Sequence, residues 1–259
     1  MSDKSGRKKL LVFAHRGEAK VFIKRGHFQP VGFLFNGLYE REGELLLISG
    51  EGVQSTTERL SAVCAAYAKE IETVINMGIA GSLTQNTAEG ETEPIELNGI
   101  YSVRTVYGDN GSDIAFRTFT SDDPNARIDC ISANNRVLED DDAQRLSWFA
   151  QLVDRELWAC GSVCALFKLP FCSYKLVSDV AGQGTDCIDI SHRAGEFSRR
   201  LYQFYGELTA QKKRVAKAEN HEWQLPDAFY ATTTQRRQLA SLLKNLTVKY
   251  QTNEAGIQE

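Results

Sequence analysis

The sequence lacks the features that mark several large classes of protein. No stretch approaches the ~18–20 apolar residues of a membrane-spanning helix, and the apolar run after the basic N-terminus is too short for a secretory signal. The six cysteines show no C-x-x-C spacing. We therefore expect a cytoplasmic protein with reduced cysteines and no membrane partner, and we predict neither a metal site nor a cofactor.

An excess of positive charge is also missing. The 30 Lys and Arg residues stand against 34 Asp and Glu residues, which gives a formal net charge of -4. Nothing global therefore attracts a nucleic acid, and we do not expect one as a partner. We interpret the basic cluster at 212–217 as a solvated helix face. The alternative is a contact with RNA or with another protein.

What remains is the composition of a globular protein, with 42% hydrophobic and 25% charged residues. Short β-branched runs alternate with longer amphipathic stretches, a pattern typical of a mixed or parallel sheet flanked by helices. We predict a single three-layer α/β domain over residues 1–209. A helical C-terminal extension should cover residues 210–259, where the basic cluster and Pro226 change the character of the sequence.

The hydrophobic pattern also predicts individual elements. The predicted strands are 10–14, 31–39, 44–49, 73–77, 100–107, 128–132 and 171–177. The predicted helices are 55–71, 140–152, 156–167, 192–210 and, in the extension, 233–250. The small residues 78–82 indicate a turn after the fourth strand, and the polar residues 84–94 indicate a mobile loop.

Polar residues at strand ends are the candidates for a site, because ligands of open α/β sheets bind beyond the carboxyl ends of the strands. Ser178 and Asp179 leave a strand that should be buried, in the segment FCSYKLVSDVAG. Glu18 follows the first strand by one turn, together with His15 and Arg16. A cap for the next turn explains Asp179 equally well, and a solvated loop explains Glu18.

Two further segments complete the set of candidates. Glu156 begins a helix in VDRELWACGSVCALF, where a carboxylate in the first turn is favourable by itself. The segment NMGIAGSL, residues 76–83, leaves room for a ligand close to its backbone N–H groups. Generic glycine turns have the same composition, so neither segment indicates a function alone.

Taken together, the order and spacing of these segments resemble the nucleoside phosphorylase/nucleosidase superfamily, and most closely its 5′-methylthioadenosine/S-adenosylhomocysteine nucleosidase branch. The resemblance covers about residues 9–208 and rests on NMGIAGSL, VDRELWACGSVCALFKLPF and KLVSDVAG. It implies an enzyme that hydrolyses the N-glycosidic bond of a small purine nucleoside, a 5′-modified adenine nucleoside in most of the branch. It also implies a homodimer.

The resemblance assigns roles to the three carboxyl residues. Asp179 matches the aspartate that donates a proton to N7 of the departing purine, and Glu18 matches the glutamate that helps to activate the attacking water. Glu156 matches the glutamate that binds the ribose 2′ and 3′ hydroxyls. Asp179 and Glu18 are therefore the expected catalytic residues.

The other residues carried over are expected to bind substrate. Ser178 precedes the acid, Ala80 and Gly81 match a turn that lines the active site, and Ile79 and Arg155 stand where the family has a serine and a methionine. Asn76 and Ile79 stand where the phosphorylases of the superfamily have an arginine and a serine or threonine that hold phosphate, which favours water as the nucleophile. A phosphate-dependent phosphorylase and a catalytically inactive nucleoside-binding module remain the alternatives, the latter favoured by Ile79 and Arg155.

Overall fold

The computed structural model describes residues 7–32, 34–83, 95–111, 117–184 and 187–219. The predicted loop at 84–94 and the predicted helix at 233–250 lie outside these residues, as do the side chains of the basic cluster at 212–217. Among the described helices, none combines the length and apolarity needed to cross a bilayer.

The described residues form ten strands and five helices. The strands are β1 (Lys8–Phe13), β2 (Gln29–Pro30), β3 (Leu38–Arg41), β4 (Glu44–Ile48), β5 (Ile71–Ser82), β6 (Ile100–Gly108), β7 (Phe119–Thr120), β8 (Ile128–Ser132), β9 (Leu152–Asp154) and β10 (Phe171–Val180). The helices are α1 (Arg16–Arg25), α2 (Gly52–Ala66), α3 (Asp140–Ser147), α4 (Leu157–Phe167) and α5 (Cys187–Glu219).

All ten strands form one mixed sheet, and part of that sheet closes on itself. The order β2-β3-β4-β1-β5 is open, whereas β5, β10, β6, β8 and β9 form a ring in which β5 pairs with both β10 and β9. The β1–β5 and β5–β10 pairs are parallel, and the β5–β9 pair is antiparallel. The predicted α/β class with a mixed sheet flanked by helices is therefore confirmed, and the ring is a feature that the pattern did not predict.

The residues of β1 show why this strand lies in the middle of the sheet. Leu10, Leu11, Val12 and Phe13 are all fully buried, so both faces of the strand are covered. A continuous apolar run is typical of such a strand, since helices cover both sides of it. The carboxyl ends of β1, β5 and β10 consequently meet on one side of the molecule.

Residues 78–82, which were predicted to form a turn, are instead the second half of β5. The small residues are needed for close approach rather than for a turn. A Cβ at Gly78 would lie 3.0 Å from Glu18 Oε1, and one at Gly81 would lie 3.4 Å from Val153 Cγ1. The prediction was wrong because strand glycines and turn glycines look alike in a single sequence.

Other element boundaries also differ from the prediction. Helix α1 was not predicted, although His15 and Glu18 form a capping box at its start. The hairpin strand predicted at 31–39 is reduced to β3, α2 ends at Ala66, and β9 occupies the end of the helix predicted at 140–152. Terminal boundaries are the part of a helix that sequence patterns fix least well.

The chain divides into two compact units, Met1–Tyr202 and Gln203–Glu259. In the second unit the described residues are those of α5, which runs without a break from Cys187 to Glu219. The predicted helix at 192–210 is thus longer at both ends. The domain boundary predicted after residue 209 stays a prediction.

Gly182 provides a test of the backbone that follows β10. Its φ is +85°, and an added Cβ would lie 2.8 Å from Ala143 Cβ and 3.0 Å from Asp140 Cα. We expect Gly182→Ala to lower the free energy of unfolding by roughly 1–3 kcal/mol, because strain and a backbone clash act together. Urea unfolding followed by circular dichroism measures the change.

Gly195 in α5 is the matched control, since an added Cβ there meets nothing within 4 Å. Gly195→Ala should be neutral or stabilising by up to ~1 kcal/mol, as expected for glycine in a helix. Equal effects of the two substitutions would contradict the strained conformation assigned to Gly182.

Candidate active site

A cavity of about 240 Å³ opens where β1, β5, β9 and β10 end. All eight site residues proposed from the sequence contribute to its wall. They are Glu18, Ile79, Ala80, Gly81, Arg155, Glu156, Ser178 and Asp179. The structure thus brings together residues that are up to 161 positions apart in the sequence, while their chemical roles stay predictions.

Glu18 is held by backbone groups on both of its carboxylate oxygens. Oε2 accepts from the N–H of His15 at 2.9 Å, and Oε1 accepts from the N–H of Ile79 at 2.9 Å. The side chain is buried, and burial raises its pKa, against the lowering effect of the Ile79 and His15 N–H groups and of the Lys175 charge. Glu18 is therefore a rigidly oriented carboxyl group shielded from bulk water.

Glu156 is the residue that precedes the first turn of α4. Its Oε1 accepts from the N–H of Gly52, the first residue of α2, at 2.6 Å. Burial and the nearby Asp154 carboxylate raise the pKa of Glu156 to about 7, whereas the Gly52 N–H and the Lys175 charge oppose the shift. The cavity therefore contains a carboxyl group that changes charge near neutral pH.

Lys175 and Asp154 form an ion pair in the interior, and Asp154 lies in the wall of the cavity. Lys175 Nζ lies 2.7 Å from Asp154 Oδ2, and both side chains are almost completely buried. Asp154 also accepts from Ser132 Oγ at 2.5 Å and from the N–H of Leu157, the first residue of α4. Burial alone would lower the pKa of Lys175, but Asp154 raises it overall.

The sequence pattern did not predict this ion pair. The available signal was a single lysine in the middle of an otherwise buried strand, FCSYKLVS. Lys and Asp are almost never fully buried unless they are paired. A search for a partner of that lysine would have pointed to this region.

Asp179 lies at the end of β10, beside an irregularity in the sheet. Val177 pairs with Ala80 and Asp179 with Gly81, so Ser178 is the additional residue. Such bulges commonly re-aim side chains next to active sites. The Ser178 hydroxyl donates to Asp179 Oδ1 at 2.5 Å, which fixes one carboxylate oxygen and leaves Oδ2 without a partner among the described residues.

Arg155 is one of two arginines in this wall, with Arg136, as far as the described residues show. Nη1 donates to Glu51 Oε2 at 3.2 Å, across from the start of α2. Its Nε is buried and has no hydrogen-bond partner within the described part of the chain. A buried donor without a partner is costly, so this atom is a candidate contact for a ligand.

The loop after β8 and helix α5 complete the cavity. Residues Asn135, Arg136, Val137 and Leu138 form one side. Helix α5 adds Ile190, Ser191, Ala194 and Phe197, none of which the sequence analysis singled out. These α5 residues have ordinary helical spacing, so no signal distinguished them from a core face.

The raised pKa of Glu156 predicts how stability depends on pH. Between the ordinary pKa of 4.5 and about 7, folded Glu156 keeps a proton that the unfolded chain loses, so stability falls as pH rises through this window. Glu156→Gln mimics the protonated form. We expect it to raise the free energy of unfolding at pH 8 by on the order of 3 kcal/mol, with little effect at pH 4.5.

Urea unfolding at both pH values checks this expectation, with Glu42→Gln as the control. Glu42 is exposed in the turn between β3 and β4, so its substitution should change stability by less than ~0.5 kcal/mol at either pH. If Glu156→Gln failed to stabilise the protein at pH 8, burial would not be destabilising the charged form of the Glu156 carboxyl group.

The backbone is similar to those of several solved nucleosidases. A futalosine hydrolase mutant of Helicobacter pylori gives a TM-score of 0.65 at 14% identity, over 79% of this chain and 99% of that chain. A 5′-methylthioadenosine/S-adenosylhomocysteine nucleosidase mutant of H. pylori, with 5′-methylthioadenosine in its active site, gives 0.61 at 14% identity, over 80% and 99%. The Campylobacter jejuni nucleosidase gives 0.61 at 13% identity, over 76% and 98%.

No protein-family model and no curated protein matches the sequence. The identities of 13% and 14% are too low to transfer a substrate. The backbone agreement nevertheless extends over almost the whole length of each of these enzymes. The chain therefore has the fold of the methylthioadenosine/S-adenosylhomocysteine and futalosine nucleosidases, in agreement with the resemblance found in its sequence.

Proposed function

We propose that this protein hydrolyses the N-glycosidic bond of a purine nucleoside and releases the free base. The observation that carries the proposal is the presence of Glu18, Glu156 and Asp179 in the wall of one cavity. A binding module has no need of three separate carboxyl groups around one ligand. Breaking this bond, by contrast, uses a general acid that protonates the departing purine, a general base that activates water and a group that binds the ribose.

Asp179 is the proposed general acid. A purine anion is a poor leaving group, so protonation at N7 neutralises the base while the bond from C1′ to N9 breaks. The hydrogen bond from Ser178 orients the carboxyl group through Oδ1. Oδ2 is then the oxygen that carries the proton to N7.

Glu18 is the proposed base for the attacking water. The N–H groups of His15 and Ile79 occupy one acceptor position on each oxygen, and a carboxylate oxygen has a second position to offer to a water molecule. Burial raises the pKa of Glu18, which brings it closer to the value that suits a general base near neutral pH.

Glu156 is the proposed ligand of the ribose hydroxyls. Gly52 fixes Oε1 from the side of α2, which leaves Oε2 and the remaining acceptor position of Oε1 for the 2′ and 3′ hydroxyls. A pKa of about 7 means that the charged form, which accepts from both hydroxyls, predominates above that pH. Substrate affinity should therefore increase as the pH rises through 7.

Water is favoured over phosphate as the nucleophile because two cations that could hold a phosphate, Lys175 and Arg104, are already engaged. Lys175 is paired with Asp154, and Arg104 forms a bidentate pair with Asp129. Asn76 is buried and bonded to Val12 and Ser173. None of them offers the charged cradle that a phosphorylase would use.

Ile79 is compatible with the proposal, although the family has a serine at this position. The contact that Ile79 makes with Glu18 comes from its backbone N–H, which any residue except proline supplies. The argument for a catalytically inactive module therefore rests on Arg155. We propose a 5′-modified adenine nucleoside as the substrate, in a cytoplasmic homodimer, with Arg155 as the residue that selects the 5′ substituent.

The general acid is tested by Asp179→Asn. An amide cannot donate an acidic proton to N7, so we expect base release to fall by at least about a hundredfold, in the range typical of lost acid catalysis. Nucleoside binding, measured by calorimetry, should stay within a few fold. The assay uses a panel of purine nucleosides with and without phosphate, and identifies both the free base and the sugar product.

A sugar 1-phosphate formed only when phosphate is present would replace the hydrolase with a phosphorylase. Normal turnover by the Asp179→Asn variant would show that Asp179 is not the general acid. Lys69→Gln, a change of an exposed residue on another surface, is the control and should leave both products and rates unchanged.

Arg155 is tested by Arg155→Met, which restores the residue found in the family. We expect kcat/KM for a 5′-methylthio nucleoside to rise relative to that for a nucleoside with a polar 5′ substituent, by about tenfold for the loss of one charged contact. Arg155→Lys keeps the charge but not the Nε donor and should lie between the two. An unchanged ratio in both variants would exclude Arg155 from recognition of the substituent.

A further inference from the structure

A second concavity lies in the first unit of the chain, between α1 and α5. It has a volume of about 530 Å³ and shares no residue with the wall of the candidate active site. We call it the α1/α5 groove. Its charged lining consists of Lys20, Lys24, Arg25, Arg193 and Arg199, with a single carboxylate, Glu196.

Most of this positive charge is not neutralised by the protein. Lys20, Lys24, Arg25 and Arg199 are exposed and form no ion pair within the described residues. Glu196 lies 3.9 Å from Arg193, so the groove's one carboxylate faces the one arginine that already donates to Asn98. A concentration of positive charge in one concavity, on a chain whose net charge is -4, raises the local concentration of anions.

The two helices that carry these cations are fixed against each other. The N–H of Val21 donates to Ser198 Oγ at 2.9 Å, and the rings of Phe22 and Tyr202 meet edge to face with centroids 5.2 Å apart. Gly195 lies between the cationic positions of α5, where a Cβ would meet nothing within 4 Å. The backbone positions of the cations are thus set before a ligand binds, and an open space lies among them.

We propose that the α1/α5 groove is a binding site for a small compound with two or more phosphate groups. Lys ammonium groups act as point charges and Arg guanidinium groups bind phosphate oxygens in pairs, so a mixture of the two suits several neighbouring phosphates. The cations converge on one concavity between two helices rather than forming an extended stripe. A long polyanion would also be repelled by the rest of an acidic surface.

The proposal is independent of the nucleosidase reaction, because it concerns binding at residues outside the catalytic cavity. The test is calorimetric titration of the full chain with inorganic tripolyphosphate, with ATP and with a single-stranded RNA of about twenty nucleotides, at two salt concentrations. The decisive variant is Lys20→Gln, Lys24→Gln, Arg199→Gln. Glutamine keeps helix propensity close to that of Lys and Arg, so folding should be preserved.

The matched control is Arg7→Gln, Lys69→Gln, Lys168→Gln, which removes the same charge from exposed positions elsewhere. We expect tripolyphosphate and ATP to bind the unmodified protein, more weakly at higher salt. The groove variant should lose about tenfold or more in affinity, as three exposed charge contacts are lost. The control should change affinity by less than about threefold.

Three results would overturn the proposal. The first is the absence of binding by tripolyphosphate and ATP, and the second is an equal loss in the groove variant and the control. The third is binding of RNA alone, which would make the groove a nucleic-acid surface. Sedimentation of both variants completes the test, since a change of oligomeric state in the groove variant without an effect on anion binding would assign the groove to self-association.

Discussion

The candidate active site depends on the buried ion pair between Lys175 and Asp154. Lys175 belongs to β10, which carries Asp179 near its end. Asp154 ends β9 and accepts from the first N–H of α4, next to Glu156. The pair therefore joins the two segments that supply these carboxyl groups. Removing one member of a buried pair costs about 3–5 kcal/mol, because the other charge remains in the interior. The contact adds a direct side-chain link between β9 and β10, which otherwise meet through their pairing with β5.

The same region contains more buried negative charge than one lysine can balance. Glu18, Asp154 and Glu156 are all buried, and the pKa values of Glu18 and Glu156 are raised by burial. Neutral residues of similar size would give a more stable fold, since replacing buried charges in this way is often stabilising. Backbone N–H groups of His15, Gly52 and Ile79 offset part of the cost. A fold that keeps this arrangement does so for a reason other than stability, which is the physical case for a ligand site.

The sequence allowed the fold class and the site residues to be predicted, but not the way in which they meet. Asp179, which follows a buried strand, and Glu156, which begins an apolar helix, could be proposed because their segments resemble the family in order and spacing. These are local patterns. The pairing of β5 with both β9 and β10 depends on residues about 70 to 100 positions apart, and no local pattern records it. Lys175 was overlooked for the same reason, since its partner is 21 positions earlier in the chain and its burial follows from that partner.

The effect of a departure from the family pattern depends on whether the backbone or the side chain of that residue makes the contact. At Ile79 the contact with Glu18 is made by the backbone, so a change of side chain leaves the orientation of the carboxylate intact. At Arg155 the side chain itself lines the cavity and donates to Glu51, the residue before α2, and its buried Nε has no partner in the described structure. A change there alters what the cavity can hold without disturbing the three carboxyl groups. The same fold can therefore keep its bond-breaking chemistry while it changes the substituent that it accepts.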